Sequence, residues 1–506
     1  MKESFRQVYI GDVSLRNPLL MAPIFTGYAT PEGLVTTKFT DFYELRARHV
    51  GALMPEPFCI EENTREIACQ AGLYNDDMIA PLMMFNTAVH QVGARTVAHL
   101  SHPGRLANPD LSEGPVLSSS SRPCLGPYDK PRAMTKEDIQ RTKRRFAEAA
   151  KAAARAGFDL TELEFGHGHL VAQFLSPLVN DRDDGYGGTL EKRARFGLEI
   201  LEALRQEVTL PVMVRLCGDE MVPGGLGLED AVQLSVMVEE AGAAALNVSV
   251  GSGCETPDWC YGHESVDMER SWEAAERMKK AVKLPVVAAG GVRSPAVARN
   301  LLLSGRADLL AVGKALIADP DFAGRILGTV RGRYRPCLGC LEGCLNLVRQ
   351  GGSLECMSNP QVGLNHREGT LPKTKSPKDV AVVGGGPMAM EAAITLHQRG
   401  HEVTLFNAED AYLMTYDGKD EPELVRDLLE FLKAETRRKV RVVVSDVALL
   451  NLHGKFEAVL LATGDEFESL AGKLSAESKS RAEVLSRLTR SLHKAVTAGY
   501  KAALKI

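Results

Sequence analysis

Residues 211–250 read PVMVRLCGDEMVPGGLGLEDAVQLSVMVEEAGAAALNVSV, and they contain one complete strand–helix–strand unit. The runs PVMVRL (211–216) and ALNVSV (245–250) are short and apolar, as buried parallel strands are. Between them, apolar residues recur at three- and four-residue spacing in GLEDAVQLSVMVEEAGA, which predicts an amphipathic helix. Strand, helix and parallel strand in succession form the repeating unit of α/β folds.

The same alternation runs through the first 330 residues. The other apolar runs are LLMAPI (19–24), ALMPEP (52–57), TVAHLS (96–101), LTELEF (160–165), PVVAAG (285–290) and LLAVG (309–313). Eight such runs with helical patterns between them predict a (β/α)8 TIM barrel over residues 1–330. Since the functional groups of this fold lie at the C-terminal ends of its strands, we look for them there.

Four cysteines follow the barrel, spaced C-x2-C-x3-C-x11-C at Cys337, Cys340, Cys344 and Cys356. Clustered thiolates repel one another unless a metal neutralises them, so the motif indicates an iron–sulfur cluster or zinc. Structural zinc and coincidence are the alternatives, although zinc usually takes two separated C-x2-C pairs. Because the motif lies between a barrel and a dinucleotide-type fold, we expect a 4Fe-4S cluster that relays electrons.

A second domain is predicted over residues 378–506. The stretch DVAVVGGGPMAMEAAITLHQRGHEVTLF (379–406) has the order strand, glycine turn, helix, strand, with the turn Gly384-x-Gly386-x-x-Ala389. Backbone amides in such a turn can approach a pyrophosphate, which predicts a Rossmann-like fold. FEAVLLATG (456–464) is interpreted as a later strand and residues 473–506 as a terminal helix with a basic, solvated face. HREGTLPKTKSPKD is polar and contains proline, so residues 331–377 are interpreted as the cluster loop and a linker.

The composition is that of an ordinary globular protein of two or three domains. The chain has 506 residues, 44% hydrophobic and 25% charged, with a formal net charge of −5. This charge gives no reason to expect nucleic acid or an anionic membrane as a partner. Neither a signal peptide nor a run of about 20 apolar residues is visible, so we expect no membrane span. Ten cysteines fit a reducing cytoplasm. Those outside the motif are interpreted as free thiols: Cys59, Cys69, Cys124, Cys217, Cys254 and Cys260.

Several motifs resemble those of the old yellow enzyme family of FMN oxidoreductases. They are MAPIFTGYA (21–29), AHLSHPGR (98–105), the stretch from AGFDLTELEFGHGHL to LEKRARF (156–196), VRLCGDE (214–220), AAGGVRSP (288–295) and AVGKALIADP (311–320). With CLGCLEGC and the GGGP turn, the chain is most similar to the multidomain branch of that family. This branch includes 2,4-dienoyl-CoA reductase, 2-enoate reductase and trimethylamine dehydrogenase, and the resemblance covers about residues 5–464.

The resemblance implies FMN on the barrel and an adjacent 4Fe-4S cluster, often with an FAD- or ADP-binding domain. The isoalloxazine would contact Ala22, Pro23 and Thr26, and Arg215 would lie near flavin N1 and O2 to stabilise the reduced anion. The alternative for Arg215 is a structural ion pair with Asp219 or Glu220. The phosphate would bind near Gly290, Gly291, Gly313 and Lys314, where the family usually has arginine in place of Lys314.

Other positions depart from the family pattern and leave the substrate open. His99 replaces the glutamine that contacts the flavin, the substrate-binding pair is Glu164 and His167, and His169 replaces a tyrosine that often donates a proton. The leading hypothesis is reduction of a C=C bond conjugated to a carbonyl, in which FMN N5 passes a hydride to the β-carbon. His167 would hydrogen-bond the carbonyl, Glu164 would assist if protonated, and His169 would supply the proton.

Two alternatives remain. An ionised Glu164, with Trp259 closing over it, would suit a cationic amine and an amine dehydrogenase. If both residues have only structural roles, Glu164 forms an ion pair with an arginine and Trp259 packs on the barrel rim. The second alternative is a non-catalytic electron-transfer subunit.

The last expectation concerns electron entry. The family's second nucleotide-binding module would be missing or shortened, because the chain stops about 40 residues after Gly464. Asn407 replaces the acid that grips the adenosine ribose, so FAD is expected to bind weakly and the domain to have a structural or docking role. Electrons would come from NAD(P)H reaching FMN directly or from a partner protein. We expect a small-molecule substrate and a homo-oligomer.

Overall fold

The structure is a computed structural model that describes residues 5–112, 114–124, 130–364, 371–407, 423–444, 452, 455–462, 482–484 and 492–506. The chain divides into two compact units. The first comprises residues 1–332 and 339–354, and the second comprises residues 333–338 and 355–506. The backbone therefore passes between the units three times, all within the cysteine-containing segment.

The first unit is a closed barrel of eight parallel strands, which confirms the predicted fold. The strands are β1 (Leu19–Met21), β2 (Ala52–Leu53), β3 (Arg95–Ser101), β4 (Leu160–Phe165), β5 (Val212–Cys217), β6 (Ala245–Ser249), β7 (Val286–Ala289) and β8 (Leu309–Val312). They are hydrogen-bonded in the order β2-β1-β8-β7-β6-β5-β4-β3, and β2 pairs with β3 to close the ring. An antiparallel hairpin of Val8–Ile10 and Val13–Leu15 covers the base.

Helices follow the strands as the sequence predicts. They include α1 (Thr37–Ala47), α2 (Ile79–Gln91), α3 (Lys136–Arg155), α4 (Leu190–Glu207), α5 (Leu228–Glu240), α6 (Glu269–Ala281), α7 (Pro295–Leu303), α8 (Lys314–Ala318) and α9 (Phe322–Leu327). Two further short helices, Leu170–Leu175 and Pro257–Tyr261, follow β4 and β6. Helix α3 begins at a capping box in which Thr135 and Asp138 each accept a backbone hydrogen bond from the other residue. Among the described residues, no helix is long and apolar enough to cross a bilayer.

The interior of the barrel changes from apolar to charged along the strands. Alternate residues point inward, and at the base Val97, Leu160, Met213 and Ala245 pack in one apolar cluster with residues of the hairpin. Two or four residues further along the same strands, the inward-pointing side chains become His99, Glu162, Glu164, Arg215 and Asn247, all buried. The buried charged side chains therefore concentrate toward the C-terminal ends of the strands, where the functional site of such a barrel lies.

The second unit contains a five-stranded parallel sheet. Its elements are β9 (Asp379–Val383), α10 (Pro387–Arg399), β10 (Glu402–Asn407), α11 (Glu423–Lys439), β11 (Arg441–Val444), β12 (Ala458–Leu461), β13 (Ala482–Val484) and α12 (Leu492–Ala503). The strand order is β11-β10-β9-β12-β13. Helix α12 packs on α10, and a Cβ on Gly499 would lie 2.1 Å from the Met388 carbonyl oxygen, so glycine permits this close approach.

The expected terminal helix of the second unit is wrong in part, and the expected ATG motif lies partly outside the described residues. The expected terminal helix over residues 473–506 is interrupted, because residues 482–484 form β13 and pair with the otherwise open edge of β12. Thr463 and Gly464 of the ATG motif lie outside the described residues, as do the remaining residues between β13 and α12.

Candidate active site

One cavity of about 160 Å³ lies at the C-terminal ends of the barrel strands. Trp259 lines this cavity, but Thr26 does not. The Thr26 hydroxyl instead donates to Glu56 Oε2 at 2.5 Å. The predicted site residues that line the cavity are Ala22, Pro23, His99, Glu164, His167, His169, Arg215, Gly290, Gly291, Gly313 and Lys314.

Glu164, on β4, is the centre of a buried ionic network. Its Oε1 accepts from the Gly166 amide at 2.7 Å. Its Oε2 lies 3.2 Å from His167 Nδ1, 3.3 Å from His99 Nε2 and 3.9 Å from Arg215 Nε. The last contact follows from strand register, since Glu164 on β4 pairs directly with Arg215 on β5. Burial opposes ionisation, yet the surrounding imidazoles hold the pKa of Glu164 well below its usual range, so it is a carboxylate.

His167 is neutral and both of its ring nitrogens are used inside the protein. Arg215 Nη2 donates to His167 Nε2 at 3.1 Å, because a guanidinium can only donate. The ring proton therefore sits on Nδ1 and points to Glu164. Burial and the Arg215 charge lower the pKa of His167 to about 4. In this arrangement His167 has no donor for a substrate carbonyl, contrary to the sequence-based expectation.

His169 lines the cavity and is positively charged. Its Nε2 lies 2.6 Å from Glu66 Oε1, while its Nδ1 has no hydrogen-bond partner and is 3.8 Å from Glu164 Oε2. Burial alone would lower its pKa, but the Glu66 and Glu164 carboxylates raise the pKa of His169 to about 9. His169 is therefore an imidazolium near neutral pH.

His99 lies deeper, between two carboxylates. Its Nδ1 is 2.8 Å from Glu162 Oε1, and Asn247 donates to Glu162 Oε2 at 2.8 Å. Despite the opposing effect of burial, Glu162 and Glu164 raise the pKa of His99. Glu162 could have been found from the sequence, because it is two residues before Glu164 in LTELEF and so shares its face of the strand.

The walls of the cavity carry an excess of positive charge. Within the described part of the chain, Glu164 is the one carboxylate among the lining residues, whereas Arg215, Arg293, Lys314 and the His169 imidazolium all line it. The donor atoms of Glu164, His167 and His169 lie within 4.8 Å of one another, a spacing that would suit a metal ion. The nearby cations make a metal unfavourable, and we interpret the group as a hydrogen-bonded proton network.

Comparison with known protein families agrees with the barrel and with the position of the cavity. Residues 4–331 match the NADH:flavin oxidoreductase / NADH oxidase family. The chain belongs to this family. Residues 350–473 match the pyridine nucleotide-disulphide oxidoreductase family, in agreement with the second unit's parallel sheet. The protein is thus a flavin-dependent oxidoreductase of the multidomain branch to which the motifs pointed.

The curated relatives of this flavin oxidoreductase include both reductases and amine dehydrogenases. An NADH oxidase of Thermoanaerobacter brockii is 36% identical over 479 residues, which cover 91% of this chain and 73% of the relative. An N,N-dimethylglycine/sarcosine dehydrogenase of Chromohalobacter salexigens is 32% identical over 80% of this chain and 60% of its own length. A cinnamate reductase of Clostridium sporogenes is 29% identical over 82% of this chain and 66% of its own length.

The cavity fits the FMN that membership in this family implies. Arg293 lines the cavity and its buried Nε has no hydrogen-bond partner, so a donor is available for an anion. Arg293 lies in the AAGGVRSP motif but was not singled out from the sequence. Together with Gly290, Gly291 and Lys314 it would hold the phosphate, and Arg215 would face the ring system.

The glycine turn of the second unit has the conformation its sequence predicts. Gly384 has φ of +142°, and a Cβ there would lie 2.2 Å from the Ala462 carbonyl oxygen, so no other residue fits. Gly386 precedes α10, and Ala389 is fully buried in the first turns of that helix. Asn407 ends β10 as predicted, at the position where the ribose-binding acid would stand.

The four motif cysteines are divided between the two units. Cys340 and Cys344 belong to the first unit, and Cys337 and Cys356 belong to the second. Cys344 lies within the returning segment 339–354 of the first unit and lines the cavity, together with Leu341 and Leu345. Sulfur ligands in this part of the chain would therefore lie beside the flavin site.

Cys124 and Cys254 form a disulfide, so their interpretation as free thiols is wrong. Their Cα atoms are 5.2 Å apart because buried Arg105 holds both segments: it donates to the Pro123 carbonyl at 3.1 Å and to Glu255 Oε1 at 2.6 Å. Cys254 lies in the loop after β6, which continues to the cavity wall at Trp259. The other predicted free thiols, Cys59, Cys69, Cys217 and Cys260, are free.

We predict that eight of the ten cysteines react with a thiol reagent in unfolded, metal-free protein without a reductant. Cys254→Ser should lower the free energy of unfolding by about 2–4 kcal/mol, because it frees a loop of 130 residues in the unfolded chain. Cys69→Ser, which breaks no bond, is the control and should cost less than about 0.5 kcal/mol. Ten reactive thiols would contradict the prediction.

Proposed function

We propose that this oxidoreductase reduces a C=C bond conjugated to a carbonyl group, as in an enoate, an enone or a dienoyl thioester. The observation that carries the proposal is the charge state of the cavity: its Glu164 carboxylate is already neutralised by protein groups, and the other charged groups are cations. When a hydride adds to the β-carbon of such a substrate, negative charge collects on the carbonyl oxygen. The His169 imidazolium, which is not among the cations assigned to FMN, would stabilise that charge.

His169 is proposed as the proton donor. Bound FMN would supply the hydride, and the α-carbon must then receive a proton. His169 holds one at Nδ1, the ring nitrogen without a hydrogen-bond partner, while Glu66 fixes the other side of the ring. His167, His169 and His99 hold Glu164 ionised, and Glu164 in turn helps to keep His169 protonated.

A second donor is available for the carbonyl oxygen. Tyr261 lines the cavity, and burial raises the pKa of its phenol well above the usual value, so the hydroxyl stays protonated. We propose that Tyr261 takes over the role that the sequence assigned to His167. The same features disfavour an amine substrate, because a cation entering the cavity would find no uncompensated carboxylate.

Anaerobic spectroscopy tests the proposal. In protein loaded with FMN, NADH or NADPH should bleach the absorbance of the oxidised flavin. Cinnamate or a simple enone should then reoxidise the flavin and restore that absorbance. Sarcosine and dimethylglycine, as cations or zwitterions, should cause no bleaching. Bleaching by either amine at a comparable rate would overturn the proposal and favour an amine dehydrogenase.

We further propose a 4Fe-4S cluster on Cys337, Cys340, Cys344 and Cys356. The proposal is supported by their spacing and by the position of Cys344 beside the cavity. Anaerobically purified protein should contain about four iron atoms per chain, and stoichiometric zinc without iron would refute this. Any single Cys→Ala variant should keep FMN but stop electron transfer beyond it.

The route by which electrons enter is proposed to be direct reaction of NAD(P)H at the FMN, or a redox partner protein. FAD is proposed to bind the second unit weakly, since Asn407 stands where an acid would hold the ribose. Cofactor extraction that yields one equivalent of FAD per chain would contradict this.

A further inference from the structure

A line of contacts joins the cysteine segment to the candidate acid. Arg349 ends the short helix Leu347–Arg349, which lies between Cys344 and Cys356 and belongs to the first unit. Its Nη2 is 3.4 Å from Glu66 Oε2 and also donates to the Tyr261 hydroxyl. Its guanidinium lies 4.6 Å from the centroid of the Tyr261 ring. One side chain thus contacts two residues of the site.

Glu66 is shared between Arg349 and His169. Its side chain is 4% exposed, and its two oxygens point in different directions: Oε1 to His169 Nε2 at 2.6 Å and Oε2 to Arg349. Gln70 accepts from the Glu66 amide at 2.9 Å, which fixes the backbone of this loop. Each of the two cations is attracted by Glu66 but repelled by the other cation, so Arg349 offsets part of the stabilisation that Glu66 gives the His169 imidazolium.

The other groups that face His169 come from the barrel. Glu164 on β4 lies 3.8 Å from Nδ1, and the His167 ring is 6.4 Å away between centroids. Buried His102, after β3, has its pKa lowered to about 3 by burial, with Arg141 and His169 adding to the effect, so it is neutral. Arg349 is therefore the cation that reaches His169 through a shared carboxylate.

We propose that Arg349 is a positioning residue for the site acid, which it orients through Glu66 while it holds the Tyr261 hydroxyl in the cavity wall. This inference rests on the proposed role of His169 as proton donor. It means that the segment carrying the metal-ligand motif also tunes the proton-transfer group of the barrel.

Two variants should move the titration of His169 in opposite directions. Glu66→Gln removes the anion beside the imidazolium, so the midpoint should fall by about 1–3 pH units. Arg349→Gln removes the competing cation and leaves Glu66 to His169 alone, so the midpoint should rise by up to about one unit. A purely structural role for Arg349 predicts no such opposition.

The titration is followed by NMR of the histidine Cε1 protons in the full chain, with His169 assigned by its absence in His169→Asn. Arg349→Lys keeps the charge and should keep the midpoint near that of the wild type, whereas Arg349→Met also removes the charge and serves if Arg349→Gln does not fold. Iron and FMN contents, measured alongside, should stay unchanged. A midpoint that Arg349→Gln leaves in place or lowers would overturn the inference.

The proposed function and this inference fail in different ways. If His169 is not the proton donor, the NMR midpoints should still shift, but the alkaline limb of the pH–rate profile for alkene reduction should not follow them. If Arg349 does not act on the acid, the midpoint should stay fixed while His169→Asn still abolishes turnover.

Discussion

Glu164→Gln is expected to lower the free energy of unfolding by about 3–5 kcal/mol. The substitution keeps the shape of the side chain and the oxygen that accepts from Gly166, but it removes the one charge shared by His99, His169 and Arg215. Removing one partner from a buried ionic network leaves the others uncompensated in a medium that solvates them poorly. The measurement is denaturant unfolding of the apoprotein.

The loss should depend on pH with a definite sign. The folded-state pKa of His169 is raised to about 9, so its contribution to stability is fully present below about pH 6.5, the ordinary value, and is lost as the pH rises through 9. Glu164 supports that shift. The difference between wild type and variant should therefore be largest at about pH 5–6.5 and shrink above pH 9.

Glu148→Gln is the matched control, because this carboxylate is 58% exposed and pairs with Arg145 on the surface of α3. It should change the free energy of unfolding by less than about 0.5 kcal/mol. A Glu164→Gln loss no greater than that of the control would mean that the histidines are neutral in the folded state.

His169→Gln should lower the rate of alkene reduction by about 10²–10⁴-fold, the usual contribution of a general acid. Glutamine can still hydrogen-bond Glu66, so FMN content and fold should be preserved. The alkaline limb of the pH–rate profile should vanish with the titrating group. Stopped-flow reoxidation of the reduced protein by an enone gives the rate directly.

Two other histidines serve for comparison. His167→Gln should cost less in proton transfer, because that ring is neutral and both of its nitrogens face protein groups. Exposed His397→Gln on α10 should leave the rate unchanged. If the rate for His169→Gln is within threefold of the wild-type rate, His169 is not the proton donor, and Tyr261 is the next residue to test.

The sequence predicted those features that depend on local pattern. Short apolar runs alternating with helical patterns located all eight barrel strands, and the glycine spacing located the turn at Gly384. Arg215 and Glu164 were singled out by the resemblance to the flavin oxidoreductase family, and both lie at the C-terminal ends of strands, where barrel sites form. Strand register then brought them together, as could be expected of neighbouring β4 and β5.

Features that depend on distant pairs were not predictable. Glu66 and His169 are 103 positions apart, Glu66 and Arg349 are 283 apart, and the disulfide joins residues 130 apart. The ring nitrogen of His167 that carries the proton was unpredictable for a similar reason, since Arg215 on another strand decides it. Short-range spacing contains no information about such partners.

The threefold crossing between the units has a consequence for the way such proteins can be recombined. Residues 339–354 belong to the barrel: the Leu354 amide donates to the Thr26 carbonyl at 2.8 Å, and the Tyr28 hydroxyl donates to the Leu354 carbonyl at 2.8 Å. A chimera joined at Gly332 would therefore equip one parent's barrel with a foreign wall segment and a foreign residue in place of Arg349. Exchange of whole C-terminal halves between homologues should succeed only when the crossover lies after Leu354.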